Sequence, residues 1–224
     1  MGTPVNLGRI FGVIVRIDLT LFLFAAFFLL DGLQYGGLQG MLDEATFIVL
    51  LFFCVYLHEM GHALGASLFG IRTLDVTLTF FGGYARLAGV PRGTLQEVVV
   101  SFAGPAVNLL IAGVLYFLLQ NPDIALSGNW RIMSWLMTAN LFLGLFNLLP
   151  GYPLDGGNIA RAILTNFMPR PRARLIVGYI GGVVGFGLVA LALQTRDFSL
   201  TMLLGFYLIY LASIEIQAAR SSRF

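Results

Sequence analysis

Residues 46–64 read TFIVLLFFCVYLHEMGHAL. Twelve residues without a charge lead directly into His58, Glu59 and His62. The apolar part is suited to lipid, where a spanning helix needs about 20 mostly apolar residues. Ionisable groups at that depth are expensive, and where they occur they face a protein interior or a water-lined cavity. The fold therefore has to bring other helices around this one.

Composition agrees with that demand. Of the 224 residues, 58% are hydrophobic and 11% charged. A soluble domain carries about a quarter charged residues, which excludes an ordinary soluble core. No stretch reads as a cleaved leader. All thirteen basic residues are arginine, and none of them cluster densely enough for nucleic acid. The one cysteine, Cys54, excludes an internal disulfide. Apolar segments at 18–35, 45–68, 95–119, 131–150, 174–194 and 199–218 predict about six transmembrane helices. Residues 8–17 and 71–89 are richer in β-branched and aromatic residues. They predict strands, the second segment a hairpin turning at Gly82-Gly83. The expected class is an all-α polytopic membrane protein with a small membrane-associated β segment, folded as a single domain over 1–224.

Arginine placement predicts the orientation. Arg9, Arg16, Arg72, Arg86, Arg92, Arg161, Arg170, Arg172, Arg174, Arg220 and Arg223 fall in the termini and alternate connections. The opposite connections hold only Arg131 and Arg196. The arginine-rich side is cytoplasmic by the positive-inside rule, so both termini are expected in the cytosol.

His58 and His62 are the only histidines. Residues four apart on a helix lie about 40° around the axis and about 6 Å along it, so both imidazoles leave one face. His-Glu-x-x-His is the arrangement in which two histidines hold zinc and the glutamate between them accepts a proton from water. A catalytic zinc takes a third protein ligand. Cys54 shares the stripe but lies about 12 Å along the axis from His62, too far for ligand bonds of about 2.0–2.3 Å, and reads as a packing thiol. The acidic candidates are Glu97, Asp155, Asp197 and Glu215. The second and fourth helices both run inward, which puts His58, His62 and Asp155 at matching depth and selects Asp155. Around it, Pro150 and Pro153 unwind the helix and Gly156-Gly157 allow close backbone approach.

HEMGHALGA with FNLLPGYPLDGG resembles the site-2 protease family of intramembrane zinc metalloproteases, whose patterns are HExGHxxxA and NxxPxxPxDG. The resemblance implies one zinc per chain on His58, His62 and Asp155, with Glu59 as catalytic base. It implies that Asn147 holds the substrate backbone or oxyanion, although that side chain equally reads as a helix-end cap. The 71–89 hairpin resembles the family's β segment, an edge that receives extended substrate, with donors expected from Val76–Phe80. Gly82 and Gly83 read either as substrate contacts or as a turn. GPAVN at 104–108 resembles a motif of the third core helix, with Asn108 read as a hydrogen-bond partner across helices.

The implied activity is endopeptidase cleavage of transmembrane segments in single-span proteins, near the cytoplasmic side, by a catalytic core at 45–157. The expected location is the multi-pass fraction of a cell membrane, of prokaryotic type, with no PDZ-like insertion and no C-terminal nucleotide-sensing domain. Partners are the substrate proteins and the lipid bilayer, with no nucleic acid. Two rivals stay open. One is a catalytically silent zinc-binding scaffold, and the other a membrane zinc protease of another family with a glutamate as third ligand.

Overall fold

The computed structural model describes residues 4–10, 12–80, 82–125, 130–196 and 200–221. Its elements in chain order are β1 (Val5–Ile10), β2 (Val13–Ile17), α1 (Leu19–Ser67), β3 (Thr73–Thr79), β4 (Gly82–Leu87), α2 (Thr94–Leu119), α3 (Pro122–Ala125), α4 (Trp130–Asn147), α5 (Asp155–Leu164), α6 (Arg170–Thr195) and α7 (Leu200–Ser221). They divide into two compact units, one of residues 1–90 and 106–144, the other of 91–105 and 145–224.

In the first unit α1 dominates. A straight helix of 49 residues would run about 73 Å, more than twice the hydrocarbon thickness of about 30 Å. It does not run straight. Gly37 takes φ 60° and ψ −151°, outside the helical region, and divides α1 into two helices. That φ suits glycine, which lacks the Cβ that clashes there. The halves fold back on each other, packing Phe24 against Phe52 with ring centroids 5.7 Å apart. Next to the bend, a Cβ added at Gly32 would sit 2.8 Å from the Gly40 carbonyl oxygen.

The sheet has the order β1-β2-β3-β4. β1 and β2 form an antiparallel hairpin, β2 and β3 pair in parallel, and β3 and β4 form a second hairpin. The parallel pair requires a long crossover, and α1 supplies it. Asp18 caps the start of α1 by accepting from the Thr20 N–H at 2.9 Å and the Thr20 hydroxyl at 2.7 Å. Those two donors hold its carboxyl below the usual carboxylate range. Val15, Val76 and Leu78 pack from the sheet onto Leu21, Phe24, Phe52, Val55 and Tyr56 of α1. Asp75, buried in β3, is held by Arg86 across the hairpin, with Arg16 at 3.6 Å.

The second unit is built on the α6–α7 hairpin. A Cβ on Gly185 would meet the Gly205 carbonyl oxygen at 2.8 Å, so these helices lie close. Arg174 donates to both Glu215 oxygens at 2.6 and 2.9 Å, a fork across the pair. The 148–154 loop rests on α6. Tyr152 donates its N–H to the Val177 carbonyl at 3.0 Å, and a Cβ on Gly151 would stand 2.7 Å from Gly181 Cα.

Each of the six expected apolar segments is mostly helical among the described residues, but they are not all shown to be spans. Among the described residues α1, α2, α6 and the 201–221 stretch of α7 are long and apolar enough to cross a membrane. α4 is long enough at 18 residues but less apolar, with Arg131, Ser134, Thr138 and Asn140 among them. The expected strand at 8–17 is two strands broken beside Gly12, and β1 starts at Val5. The expected hairpin at 71–89 is present, with Gly82-Gly83 opening its second strand. α5 was not anticipated.

Candidate metal centre

His58, Glu59 and His62 lie on the second half of α1, and the first two are buried. The helix aims both imidazoles at one point. Their Nε2 atoms are 3.1 Å apart and the rings stand at 86° to each other. Two nitrogens at about 2.0–2.1 Å from one tetrahedral zinc would be about 3.3 Å apart, so the pair fits that ion. His58 Nδ1 meets Asn108 Oδ1 at 2.5 Å. An amide oxygen only accepts, so Nδ1 carries the proton and Nε2 keeps its lone pair for a metal.

Glu59 points to a different neighbour. A Cβ added at Gly83 would meet Glu59 Cγ at 2.7 Å and Oε1 at 3.0 Å. Only glycine lets the β4 backbone lie so close to this carboxylate. Gly82 is different. It has open space around it and a φ of +122°, and its carbonyl accepts from the Thr79 hydroxyl at 3.0 Å. The structure therefore brings Gly83 to the glutamate and gives Gly82 to the turn. β4 ends the sheet. β3 is paired on both sides, so the strand edge beside Glu59 is β4 rather than Val76–Phe80.

Asp155 and Asn147 belong to the second unit. Asp155 is the first residue of α5, Asn147 the last of α4, and the 148–154 loop with its cis Tyr152-Pro153 bond joins them. Gly156 packs against the Leu148 and Leu149 carbonyls and Gly157 against Gly151, which explains the glycine pair after Asp155. The other acidic candidates have other work. Glu97 pairs with Arg161 at 3.6 Å, and Glu215 is forked by Arg174. Asp197 lies outside the described residues. Cys54 is buried in α1 beside Asn140. Asn140 itself was missed, because one more asparagine in an apolar helix carries no local signature.

A histidine pair one turn apart with a buried glutamate beside it, on a chain of several apolar helices, defines a multi-pass membrane protein with a metal-binding helix. The chain belongs to peptidase family M50, whose sequence profile matches residues 46–126 and 120–188. It is 36% identical over 209 residues to the Rip3 protein of Mycobacterium tuberculosis, covering 86% of this chain and 52% of that one. To a zinc metalloprotease of Methanocaldococcus jannaschii it is 33% identical over 181 residues, covering 81% and 51%. The chain thus spans about half the length of these two curated relatives. The solved site-2 protease of the same archaeon superimposes with a TM-score of 0.74 at 27% identity, covering 96% of this chain and 95% of that one. The resemblance carried by the two sequence motifs is borne out. Membership of this family implies zinc as the metal.

Proposed function

We propose that this protein is an intramembrane zinc endopeptidase that cuts transmembrane segments of single-span membrane proteins near the cytoplasmic side. One zinc per chain is held by His58, His62 and Asp155, two imidazoles and a carboxylate, a donor set that suits this ion. When bound, the metal supplies the Lewis acidity that makes water a nucleophile near neutral pH. Glu59 takes the proton during attack and passes it to the leaving amine. Asn147 holds the substrate backbone or the oxyanion. β4 offers its outer edge to an unwound substrate strand, with Gly83 bringing that strand beside Glu59. Six helices span the bilayer, both termini are cytoplasmic, and residues 1–224 act as one domain with its catalytic core at 45–157.

The observation that carries this reading is the 3.1 Å Nε2 pair with a buried glutamate between its histidines in sequence. A zinc store or scaffold needs the pair but not the base. In Glu59→Gln, bound zinc should remain near one per chain while cleavage of a single-span substrate falls by about 10²–10⁴-fold. Ala at His58, His62 or Asp155 should strip the metal. Full cleavage by Glu59→Gln would overturn the proposal.

A further inference from the structure

One buried polar chain leads from the middle of α4 to His58. Asn140 donates through Nδ2 to the Leu136 carbonyl at 2.8 Å. Its Oδ1 accepts from Asn108 Nδ2 at 2.8 Å. Asn108 Oδ1 in turn accepts from His58 Nδ1. Both asparagines have no exposed surface at all.

A side-chain amide fits its cavity either way round, and its partners alone decide which end is oxygen. Leu136 offers a backbone carbonyl, which can only accept. Asn140 must therefore turn its NH₂ towards Leu136 and its oxygen towards Asn108. Asn108 must then turn its NH₂ towards Asn140 and its oxygen towards His58. An imidazole nitrogen facing an oxygen has to carry the proton, which leaves the lone pair on Nε2. That is the nitrogen 3.1 Å from His62 Nε2. If Asn108 turned over, its NH₂ would face Nδ1. Nδ1 would have to accept, and the neutral ring's proton would move to the metal-facing nitrogen.

We propose that Asn140 and Asn108 are positioning residues that transmit the fixed polarity of the Leu136 carbonyl to His58 and set its tautomer for metal binding. The proposal rests on the zinc reading above. It adds that a residue two hydrogen bonds away from the ligand governs metal affinity.

The alternative is that the two asparagines only join helices, as buried asparagines do in membranes. Orientation separates these roles. Asparagine has a wrong way round, whereas the carboxylate of Asn108→Asp presents an oxygen to Nδ1 however it turns. The experiment uses the full chain in detergent and measures the zinc dissociation constant by chelator competition, with the melting temperature of the metal-free protein as a control for folding. Asn108→Leu should weaken zinc by about 10–100-fold, the usual effect of removing a ligand's outer partner. Asn108→Asp should stay within a few-fold of the unmodified chain. Asn140→Leu alone should weaken zinc by about 10-fold, and in the Asn108→Asp background by less than about twofold. Asn140→Ala repeats the comparison if Asn140→Leu does not fold. An equal loss from Asn140→Leu in both backgrounds would show a packing effect and overturn the relay, as would no loss in either. Failure of the unmodified chain to bind zinc would remove the metal reading itself, which is a separate outcome.

Discussion

Gly83 is the residue at which the sheet and the chemistry meet. Gly83→Ala places a methyl where Glu59 Cγ and Oε1 now lie, at 2.7 and 3.0 Å. The carboxylate has to swing away, and a displacement of about 1 Å at a reacting group can cost about 100-fold in rate. Cleavage should fall by that order while zinc stays bound, because no ligand is touched. Gly82→Ala gives the control. It meets no neighbour, yet its φ of +122° strains an L-residue, so it should lower the melting temperature more than the rate per folded molecule. Rates for the two variants in the reverse order would remove Gly83 from the site. The third ligand is tested in the same way. Asp155→Asn should release zinc, whereas Glu215→Gln, which weakens the fork from Arg174, should lower stability and leave the metal in place. The histidine pair and its glutamate were legible as a candidate site because their spacing is a chemical statement in itself, and Asp155 was legible as a candidate from the prolines and glycines around it. Gly83's contact with Glu59 and Asn140's link to Asn108 were not. Both depend on residues brought together from distant parts of the chain, and no local pattern records that.

Among the elements, β4 is the sheet edge that lies beside Glu59. The run from Thr73 to Leu87 reads as a hairpin from its own composition, and a hairpin it is. Which strand is the edge depends on β2, which arrives from before α1 to pair with β3 in parallel. A pairing across a crossover that contains a helix of 49 residues leaves no trace in either strand's sequence. Gly37 is different, because the break falls inside the 36–44 gap between the first two apolar segments, while the helix after it already runs through Asp43 and Glu44. Charge marks where a helix leaves lipid, not where it ends. The β4 edge yields a prediction of its own. A helical peptide bond is shielded by its own hydrogen bonds, so substrate has to unwind and find new backbone partners in a place with little water. Along β4, alternate N–H groups point to β3 and away from the sheet. Proline at successive positions from Tyr84 to Arg86 should therefore split into two classes. Where the outward N–H is removed, cleavage should slow while zinc and melting temperature hold. Where the ladder to β3 is broken, melting temperature should fall. Unchanged cleavage at every folded position would exclude strand addition on this edge.

For the molecule as a whole, the question is which side of the membrane each connection faces. Lipid-facing surface is plain on the helices, where Leu30, Phe117, Val183 and Phe186 are exposed large apolar residues. Orientation has to come from charge. Eleven of thirteen arginines fall on one set of alternate connections and the termini, and the proposed orientation places that set in the cytosol by the positive-inside rule. Several of those arginines also have structural partners. Arg16 and Arg86 meet Asp75, Arg161 meets Glu97, and Arg174 meets Glu215. A charge kept for an ion pair could bias the count, so the orientation is best tested at positions without such a duty. Arg92→Cys and Arg172→Cys should resist an impermeant thiol reagent added outside intact cells and label once the membrane is opened. Gln39→Cys and Asn121→Cys should label from outside at once. Native Cys54 is buried and gives little background. The opposite pattern would turn the protein over and carry the cleavage side with it. Labelling of Arg172→Cys and Asn121→Cys from the same side would mean that α4 does not cross the membrane together with α2 and α6. The short, polar α4 would then be embedded rather than spanning, and the count of six spans would fall while the histidine pair stayed where α1 holds it.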